Sequence, residues 1–384
     1  METSTSYRPD IQGLRAIAVL VVIAAHAGIG GFSGGFVGVD IFFVISGFVI
    51  TSLLMRQPER RLFSNLRNFY VRRILRIVPA ATVVLVSTIF ASYFILKNFF
   101  DEALLEDVRW ATFFSANFRL INTSADYFLS GSSASLITHF WSLAIEEQFY
   151  FLYPLIVFGL TYLSNSMNRI KVLRSFLILV VTVSALWSWH LTPINQVLAY
   201  YSPLTRFWEL ALGGVVATFS LKRIHVRGTA VLALISFIGL LSSIFIINEH
   251  MQFPGVAAWL PCGFTALLIL SGKSGATAGP AFWLSQKPLT YVGDISYSLY
   301  LWHFLWIMLP AQMEFPPQGA WVTPALIIGT VLCAAASYHL LENPIRLSKR
   351  LVNDGWATLI LLVMCLVISY DSTLFVENLW LTRP

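Results

Sequence analysis

Two ionisable residues share an apolar stretch near the start of this chain of 384 residues. Arg15 and His26 are eleven positions apart, so on a helix their side chains point to within about 20° of each other and lie roughly 16 Å apart along the axis. Ionisable groups inside a membrane span are costly and usually mark a substrate path. The pair therefore predicts a reaction that reaches across a bilayer, with a cation at the inner end of the helix and an imidazole near the bilayer centre.

A second group of cations precedes the third apolar stretch. Arg73 and Arg76 are three positions apart, so they project from one helical face, and Arg72 lies beside them. Paired guanidinium groups bind phosphate through planar, bidentate hydrogen bonds. Arginines beside a span can also serve only to hold its end at the cytoplasmic headgroups. Taken together with Arg15 and His26, the cluster favours phosphate binding.

The fourth apolar stretch carries two adjacent carboxylates, Glu146 and Glu147, roughly 9–10 Å inside its outer end. Carboxylates at that depth are costly unless they are paired or line a wet cavity. We expect one of them to neutralise an arginine and the other to orient or charge-balance an imidazole, and the sequence leaves open which is which. Glu146 also belongs to a stripe of polar residues at helical spacing. The stripe comprises His139, Ser142, Glu146, Tyr150 and Tyr153.

An acidic residue opens the second apolar stretch. Asp40 lies about 6 Å from the outer end, where it could be catalytic, end a helix or form a salt bridge. The glycines around it are expected to permit close helix packing. These are Gly34, Gly35, Gly38 and Gly47.

Two polar groups on later stretches have both a functional and a structural interpretation. Tyr300 and His303 continue a stripe from Ser296. His303 is either a base or a hydrogen-bonded packing element, and both residues are candidates for binding the acceptor. Arg206 and Glu209 are three positions apart and predict an intrahelical ion pair, with acceptor binding as the alternative.

Composition indicates an all-α, polytopic transmembrane helical bundle. Mean hydropathy is +0.72, 57% of residues are hydrophobic and 11% are charged, against about 25% charged in soluble proteins. Several apolar stretches reach the ~20 residues that cross a bilayer. About eleven spans are predicted, at 15–32, 36–55, 78–97, 141–163, 175–191, 204–221, 229–247, 255–271, 289–312, 320–341 and 356–370.

The charge distribution predicts the orientation of these spans. With the N-terminus in the cytoplasm and the C-terminus in the periplasm, most of the 25 Lys and Arg residues fall in cytoplasmic segments, as the positive-inside rule requires. The pI of 9.3 thus follows from membrane orientation, and no nucleic-acid partner is expected. The basic residues left outside are Lys97, Arg109, Arg119, Arg206 and Arg383.

Cysteine and histidine usage gives no sign of a metal. Cys262, Cys333 and Cys365 all fall in predicted spans, and the seven histidines include no pair at metal-ligand spacing. The first apolar run imitates a cleavable signal peptide, but it continues to Phe32 and further spans follow, so we interpret it as the first span.

The predicted depths favour a long, thin substrate. Cations that could hold a phosphorylated donor lie at the inner surface, whereas the other ionisable groups lie from the middle to the outer half. The phosphates and extended pantetheine arm of coenzyme A suit this arrangement. The groups in the middle and outer half are His26, Asp40, Glu146, Glu147 and His303.

At these residues the chain resembles the acyltransferase-3 family of integral membrane acyltransferases, which includes bacterial O-antigen acetylases. The resemblance covers nearly the whole chain and rests on an ordered series of segments. These are YRPDIQGLRAIAVLVVIAAH, GGFVGVDIFFVISGFVIT, FYVRRILRIVP, HFWSLAIEEQFYFLYP, RFWELALGG, ISYSLYLWH and LENPIR.

The resemblance implies transfer of an acyl group, usually acetyl from acetyl-CoA, to a hydroxyl of an envelope polysaccharide or lipid-linked glycan at the bacterial inner membrane. Arg15 and His26 match the family's motif of arginine, ten residues and histidine. Arg73 and Arg76 match its arginine pair, and either Glu147 or Glu146 its essential acid. His26 would serve as general base or carry the acetyl group transiently.

The family also implies a division of the chain. Residues 1–350 would form the acyltransferase transmembrane domain, and 351–384 an eleventh span with a periplasmic tail. An SGNH-type domain is commonly fused there in the family, so the tail is interpreted as a truncated link to such a domain or as a version without it.

Two other classes of function remain open on sequence alone. Intramembrane His, Glu and Asp residues also build proton-coupled transporters of a small solute or lipid-linked glycan, although no inverted repeat is evident. A protein that binds or flips a lipid-linked glycan without chemistry is the third hypothesis.

Overall fold

The computed structural model describes residues 8–56, 62–97, 100–130, 135–163, 168–219, 226–273 and 279–383. Within these ranges the chain is helical and contains no β-strand, which confirms the predicted all-α class. The Ser-rich stretch at 130–135 lies largely outside the described residues. The chain divides into two compact units: unit 1 comprises 1–57 and 156–296, and unit 2 comprises 58–155 and 297–384.

The helices are numbered in chain order. They are α1 Pro9–His26, α2 Gly38–Met55, α3 Leu62–Leu96, α4 Ala103–Thr112, α5 Ala116–Ser130, α6 Phe140–Leu163, α7 Arg169–Leu191, α8 Gln196–Tyr201, α9 Pro203–Thr218, α10 Val226–Ile246, α11 Trp259–Gly272, α12 Pro280–Leu284, α13 Lys287–Asp294, α14 Ser296–Ala311, α15 Val322–Ser337, α16 Asn343–Leu347, α17 Lys349–Asn353 and α18 Gly355–Leu381. A 3₁₀ turn at Gly35–Val37 precedes α2, and a π-turn at Tyr338–Glu342 follows α15.

Eight helical segments of the described chain are long and apolar enough to cross a membrane. They identify a multi-pass membrane protein; the predicted total of eleven spans and the predicted orientation stay predictions. The eight are Pro9–His26, Gly35–Met55, Phe63–Leu96, Phe140–Leu160, Arg169–Leu191, Gly228–Ile246, Val322–Leu347 and Gly355–Leu381.

Three helix boundaries differ from the predicted spans for identifiable reasons. Helix α3 begins 16 residues before the predicted 78–97, because arginine lowers hydropathy without lowering helix propensity. The predicted span 289–312 is divided into α13 and α14 just after Gly293 and Asp294, two poor helix formers. The predicted span 356–370 continues as α18 to Leu381.

Unit 1 is held together by close backbone contacts at glycines, as predicted for the glycines around α2. Helix α2 packs on α9, where a Cβ on Gly47 would lie 1.7 Å from the Leu210 carbonyl oxygen. A Cβ on Gly213 would lie 1.9 Å from the Val44 carbonyl oxygen. No side chain fits at such distances, so these two helices approach each other only because both positions are glycine.

In unit 2, α18 packs against α3 and α4. Arg109 on α4 donates to Glu377 on α18 at 2.5 Å and to Thr373 at 2.9 Å, and bonds Glu106 within its own helix at 2.7 Å. Burial lowers the pKa of the Arg109 guanidinium, but these carboxylates raise it more, so the net pKa is raised. Helix α4 is therefore fastened to α18 by a charged network.

The glycine contacts give a stability prediction. Gly213→Ala forces α2 and α9 apart, and overpacking of this kind costs about 1–3 kcal/mol. We expect a lower midpoint of thermal unfolding for the detergent-purified protein.

The matched control is Gly263→Ala in α11, where an added Cβ has open space within 4 Å. It should leave the midpoint unchanged or raise it, because alanine has the better helix propensity by up to about 1 kcal/mol. Equal midpoints for the two variants would contradict the close-contact explanation.

Candidate active site

Helix α1 of unit 1 carries both Arg15 and His26, as predicted. Arg15 is half-buried and its Nη1 donates to Gln12 Oε1 at 3.1 Å. His26 is the last residue of the helix, and the chain then turns through Gly28 and Gly31 at φ of 66° and 87°. The expectation that His26 lies midway along a span at 15–32 is therefore wrong: it lies at the end of α1.

The His26 imidazole hydrogen-bonds the main chain of Val22, one turn earlier. Because a carbonyl oxygen only accepts hydrogen bonds, the ring nitrogen in this bond carries the proton. In the neutral imidazole the other nitrogen then holds the lone pair. This tautomer suits a general base or a nucleophile.

The first turn of α2 and the start of α9 meet in a fully buried charged cluster, which we call the acid–arginine cluster: Asp40, Arg206 and Glu209. Arg206 Nη1 lies 3.2 Å from Asp40 Oδ1 and 2.8 Å from Glu209 Oε1, and all three side chains have zero exposure. The predicted Arg206–Glu209 ion pair is confirmed, and Asp40 joins it as a salt-bridge partner. The Arg206 guanidinium also lies 5.5–5.7 Å from the ring centroids of three aromatic residues. These are Phe43, Tyr200 and Phe253.

The cluster has the ligand atoms for a metal but already holds a cation. A carboxylate oxygen of Asp40, one of Glu209 and the Cys262 sulfur lie within 4.8 Å of one another. The Arg206 guanidinium contacts both carboxylates, so it supplies the positive charge that a metal would bring. Two acids against one arginine leave one negative charge, which in a buried site favours a proton held between the carboxyl groups.

The cluster gives a second stability prediction. Arg206→Met leaves two buried acids without their cation, and breaking a buried ion pair in this way costs about 3–5 kcal/mol. We expect poor yield and a strongly lowered unfolding midpoint in detergent.

The triple variant R206M/D40N/E209Q removes the uncompensated acids together with the arginine, so it should recover much of the lost stability. If R206M alone unfolds within about 1 kcal/mol of the wild type, the cluster is not a stabilising element.

In unit 2, Arg73 and Arg76 lie on α3 beside the acids of α6. The Arg73 guanidinium lies over the Tyr150 ring at 4.5 Å and 5.6 Å from the Phe69 ring centroid. Arg73 and Arg76 are half-buried, whereas Arg72 is exposed. Both half-buried arginines interact electrostatically with Glu147. The structure therefore brings the predicted arginine pair and the predicted acid together.

The two carboxylates of α6 have different surroundings. Glu146 accepts a very short hydrogen bond from the Tyr150 hydroxyl. Glu147 Oε1 is buried and has no hydrogen-bond partner among the described residues. Glu147 is thus the acid whose oxygen is available to a bound group, and Glu146 is the acid tied to the tyrosine beneath Arg73.

The polar stripe of α6 continues to a second group of side chains, contributed by α14. The Tyr300 hydroxyl lies 2.5 Å from Ser142 Oγ and donates to the His139 carbonyl oxygen at 2.9 Å. His303 Nδ1 lies 2.6 Å from the Tyr300 carbonyl oxygen. The His139 and His303 rings are 5.5 Å apart between centroids, and both side chains are buried. This histidine pair unites the two predicted polar stripes.

Sequence reasoning missed one acid in unit 2. Glu342 lies in the π-turn, is 1% exposed, and accepts from Ser298 Oγ at 3.0 Å through Oε2, while its Oε1 has no partner among the described residues. Single π-helical turns are rare and occur frequently at functional sites. The sequence feature that could have pointed to Glu342 is an acid directly before Asn343 and Pro344, at the end of an apolar stretch.

Comparison with known proteins assigns the chain to a family. Residues 8–339 match the model of a family described as an acyltransferase domain. The chain is 33% identical over 352 residues to the O-acetyltransferase OatA of Staphylococcus aureus, covering 89% of this chain and 58% of that protein. It is 33% identical over 362 residues to the peptidoglycan O-acetyltransferase OatA of Listeria monocytogenes, covering 89% and 56%. No solved structure matches.

The chain is an integral membrane protein built from apolar helices, and it belongs to the acyltransferase family that this model defines. The predicted resemblance is therefore confirmed. The chain spans somewhat more than half the length of the two relatives it matches.

Proposed function

We propose that this protein transfers an acetyl group from acetyl-CoA to a hydroxyl of an envelope polysaccharide at the far face of the bacterial cytoplasmic membrane. The observation that carries the proposal is the half-buried pair Arg73 and Arg76 beside Glu147, whose Oε1 has no hydrogen-bond partner within the described part of the chain, in a member of the acyltransferase family. Paired arginines suit the phosphates of a nucleotide donor.

The donor-binding roles fall to the arginines. Arg73 and Arg76 would hold phosphate through bidentate bonds, and Arg73 is pre-oriented by its stack on Tyr150. The exposed Arg72 would contribute longer-range attraction, and Arg15 on α1 is proposed as a donor-binding residue from its match to the family motif.

The acyl-transfer roles fall to His26 with a carboxylate. The lone pair fixed by the Val22 bond would either take the proton of the sugar hydroxyl or attack the thioester itself. Among the carboxylates, Glu147 is the first candidate for the essential acid of the reaction, and Glu146 the second. Asp40 belongs to the acid–arginine cluster, so in this proposal it supports α2 and α9 rather than the reacting atoms.

The acceptor is proposed from chemistry and from the relatives. The names of these two relatives specify O-acetyl transfer and, for the Listeria protein, peptidoglycan. We propose a carbohydrate hydroxyl of the cell envelope, with peptidoglycan glycan as the first acceptor to assay and lipid-linked O-antigen-type glycan as the second.

A proton-coupled transporter is the alternative, and donor binding separates the two. Acetyl-CoA should bind the purified wild-type protein saturably, because a phosphate site made of two arginines is built into α3. A transporter of a small solute or glycan has no use for such a nucleotide site.

The test is acetyl-CoA binding to purified variants. Charge-assisted hydrogen bonds contribute about 1.5–3 kcal/mol each, so Arg73→Ala and Arg76→Ala should each raise the Kd about 10- to 100-fold. Isothermal titration at fixed salt measures the Kd directly.

Lys171→Ala, at an exposed position in the first turn of α7, is the matched control for loss of one positive charge and should leave the Kd within about threefold. Absence of saturable binding to the wild type, or equal effects of all three substitutions, would contradict the proposed donor site.

A further inference from the structure

The histidine pair of unit 2 contains a second imidazole whose tautomer is fixed by the fold. His303 Nδ1 lies 2.6 Å from the carbonyl oxygen of Tyr300, three residues earlier on α14. A carbonyl oxygen has no proton to give, so Nδ1 carries the hydrogen of this bond. The lone pair of the neutral ring is therefore on Nε2, the nitrogen that can accept a proton.

The surroundings of His303 hold that ring in place. Its side chain has zero exposure, and its ring lies 5.5 Å from the His139 ring in a T-shaped arrangement. The His139 ring stacks on Phe304 at 4.8 Å, and Tyr300 fastens α14 to α6 through Ser142 and the His139 carbonyl. A base set by a main-chain acceptor and enclosed by aromatic packing is oriented before any substrate arrives.

Polar contacts of unit 2 lead from the arginine pair toward this ring. Arg73 lies on Tyr150, Tyr150 bonds Glu146, and Ser142 is the next polar residue one turn earlier on the same face of α6. In unit 2 the polar stripe of α6 therefore contacts Arg73 of α3 at Tyr150 and Tyr300 of α14 at Ser142. Polar groups aligned in this way inside an apolar bundle mark a substrate or proton path.

We propose that His303 is the base that takes the proton of the acceptor hydroxyl. This inference rests on the proposed function and deepens it, because it assigns the base of the reaction to a residue of unit 2, the unit that also holds the arginine pair. In the step, the hydroxyl O–H bond breaks and its proton goes to His303 Nε2. The oxygen forms a bond to the acyl carbon, the bond from that carbon to its carrier breaks, and the proton returns to the departing carrier, so charge and atoms balance.

The test compares two substitutions at one position with a matched histidine elsewhere. His303→Asn places an amide nitrogen where Nδ1 lies, so it keeps the hydrogen bond to Tyr300 but has no basic nitrogen. His303→Gln supplies a polar atom near Nε2 without basicity. His250→Asn, at an exposed position outside both sites, controls for loss of a histidine.

Glycan acetylation is measured with acetyl-CoA as donor, together with acetyl-CoA Kd and the unfolding midpoint. For H303N and H303Q we expect kcat to fall by about 100-fold or more, with donor Kd within about threefold of the wild type. The residual rate of H303N should keep rising with pH, because hydroxide replaces the missing base, whereas the wild-type rate levels off. H250N should match the wild type.

Three results would overturn the inference. A kcat for H303N within about threefold of the wild type shows that His303 moves no proton. A fall in kcat that accompanies a lowered unfolding midpoint, with a pH profile of unchanged shape, shows a packing role. If the wild type itself acetylates no glycan, the proposed function fails and this inference falls with it, a result seen before any substitution is made.

Discussion

The structure depends on the neutralisation of charge in an apolar bundle. Each unit meets this requirement in its own way. Unit 1 encloses Arg206 between Asp40 and Glu209 at zero exposure, and unit 2 places Arg73 and Arg76 beside Glu146 and Glu147. An ionised side chain without such a partner costs several kcal/mol in these surroundings, so the helices that supply the partners must pack together.

The two clusters differ in how completely their charged groups are paired. This difference distinguishes a cluster that stabilises the fold from one that could bind and convert a substrate. In the acid–arginine cluster the guanidinium contacts both acids and is surrounded by aromatic rings, so the cluster is closed. In unit 2, Glu147 Oε1 has no hydrogen-bond partner among the residues that the structure describes, and the arginines are half-buried. Groups that are charged, oriented and incompletely satisfied are the ones a substrate can complete.

Structural features that depend only on the spacing of nearby residues could be predicted from the sequence. The helical class, the presence of Arg15 and His26 on one helix, the Arg206–Glu209 pair and the close packing at Gly47 were all available from the sequence. Each follows from the 3.6-residue period or from the size of a side chain. The family resemblance was available as well, because it rests on ordered segments along nearly the whole chain.

Long-range partners were not available from the sequence. Asp40 lies more than 160 positions from Arg206, and Glu377 lies 268 positions from Arg109. No local sequence pattern predicts pairs at such separations. The predicted span at 356–370 ends before α18 does, because acids such as Glu377 argue against a membrane span in the sequence. In the structure Arg109 neutralises Glu377, and the helix continues to Leu381. The meeting of His139 with His303 likewise depends on how α6 and α14 pack.

In the proposed reaction, arginines hold a thioester on the cytoplasmic side, and its acyl group reaches a carbohydrate on the opposite side of the membrane. The most direct measurement uses proteoliposomes with glycan enclosed and acetyl-CoA supplied outside, scored by acetyl esters on the enclosed glycan. The account predicts esterified glycan in vesicles that carry the protein, with none in protein-free vesicles that hold the same contents. Acetylation that occurs only when donor and glycan share one compartment would contradict it.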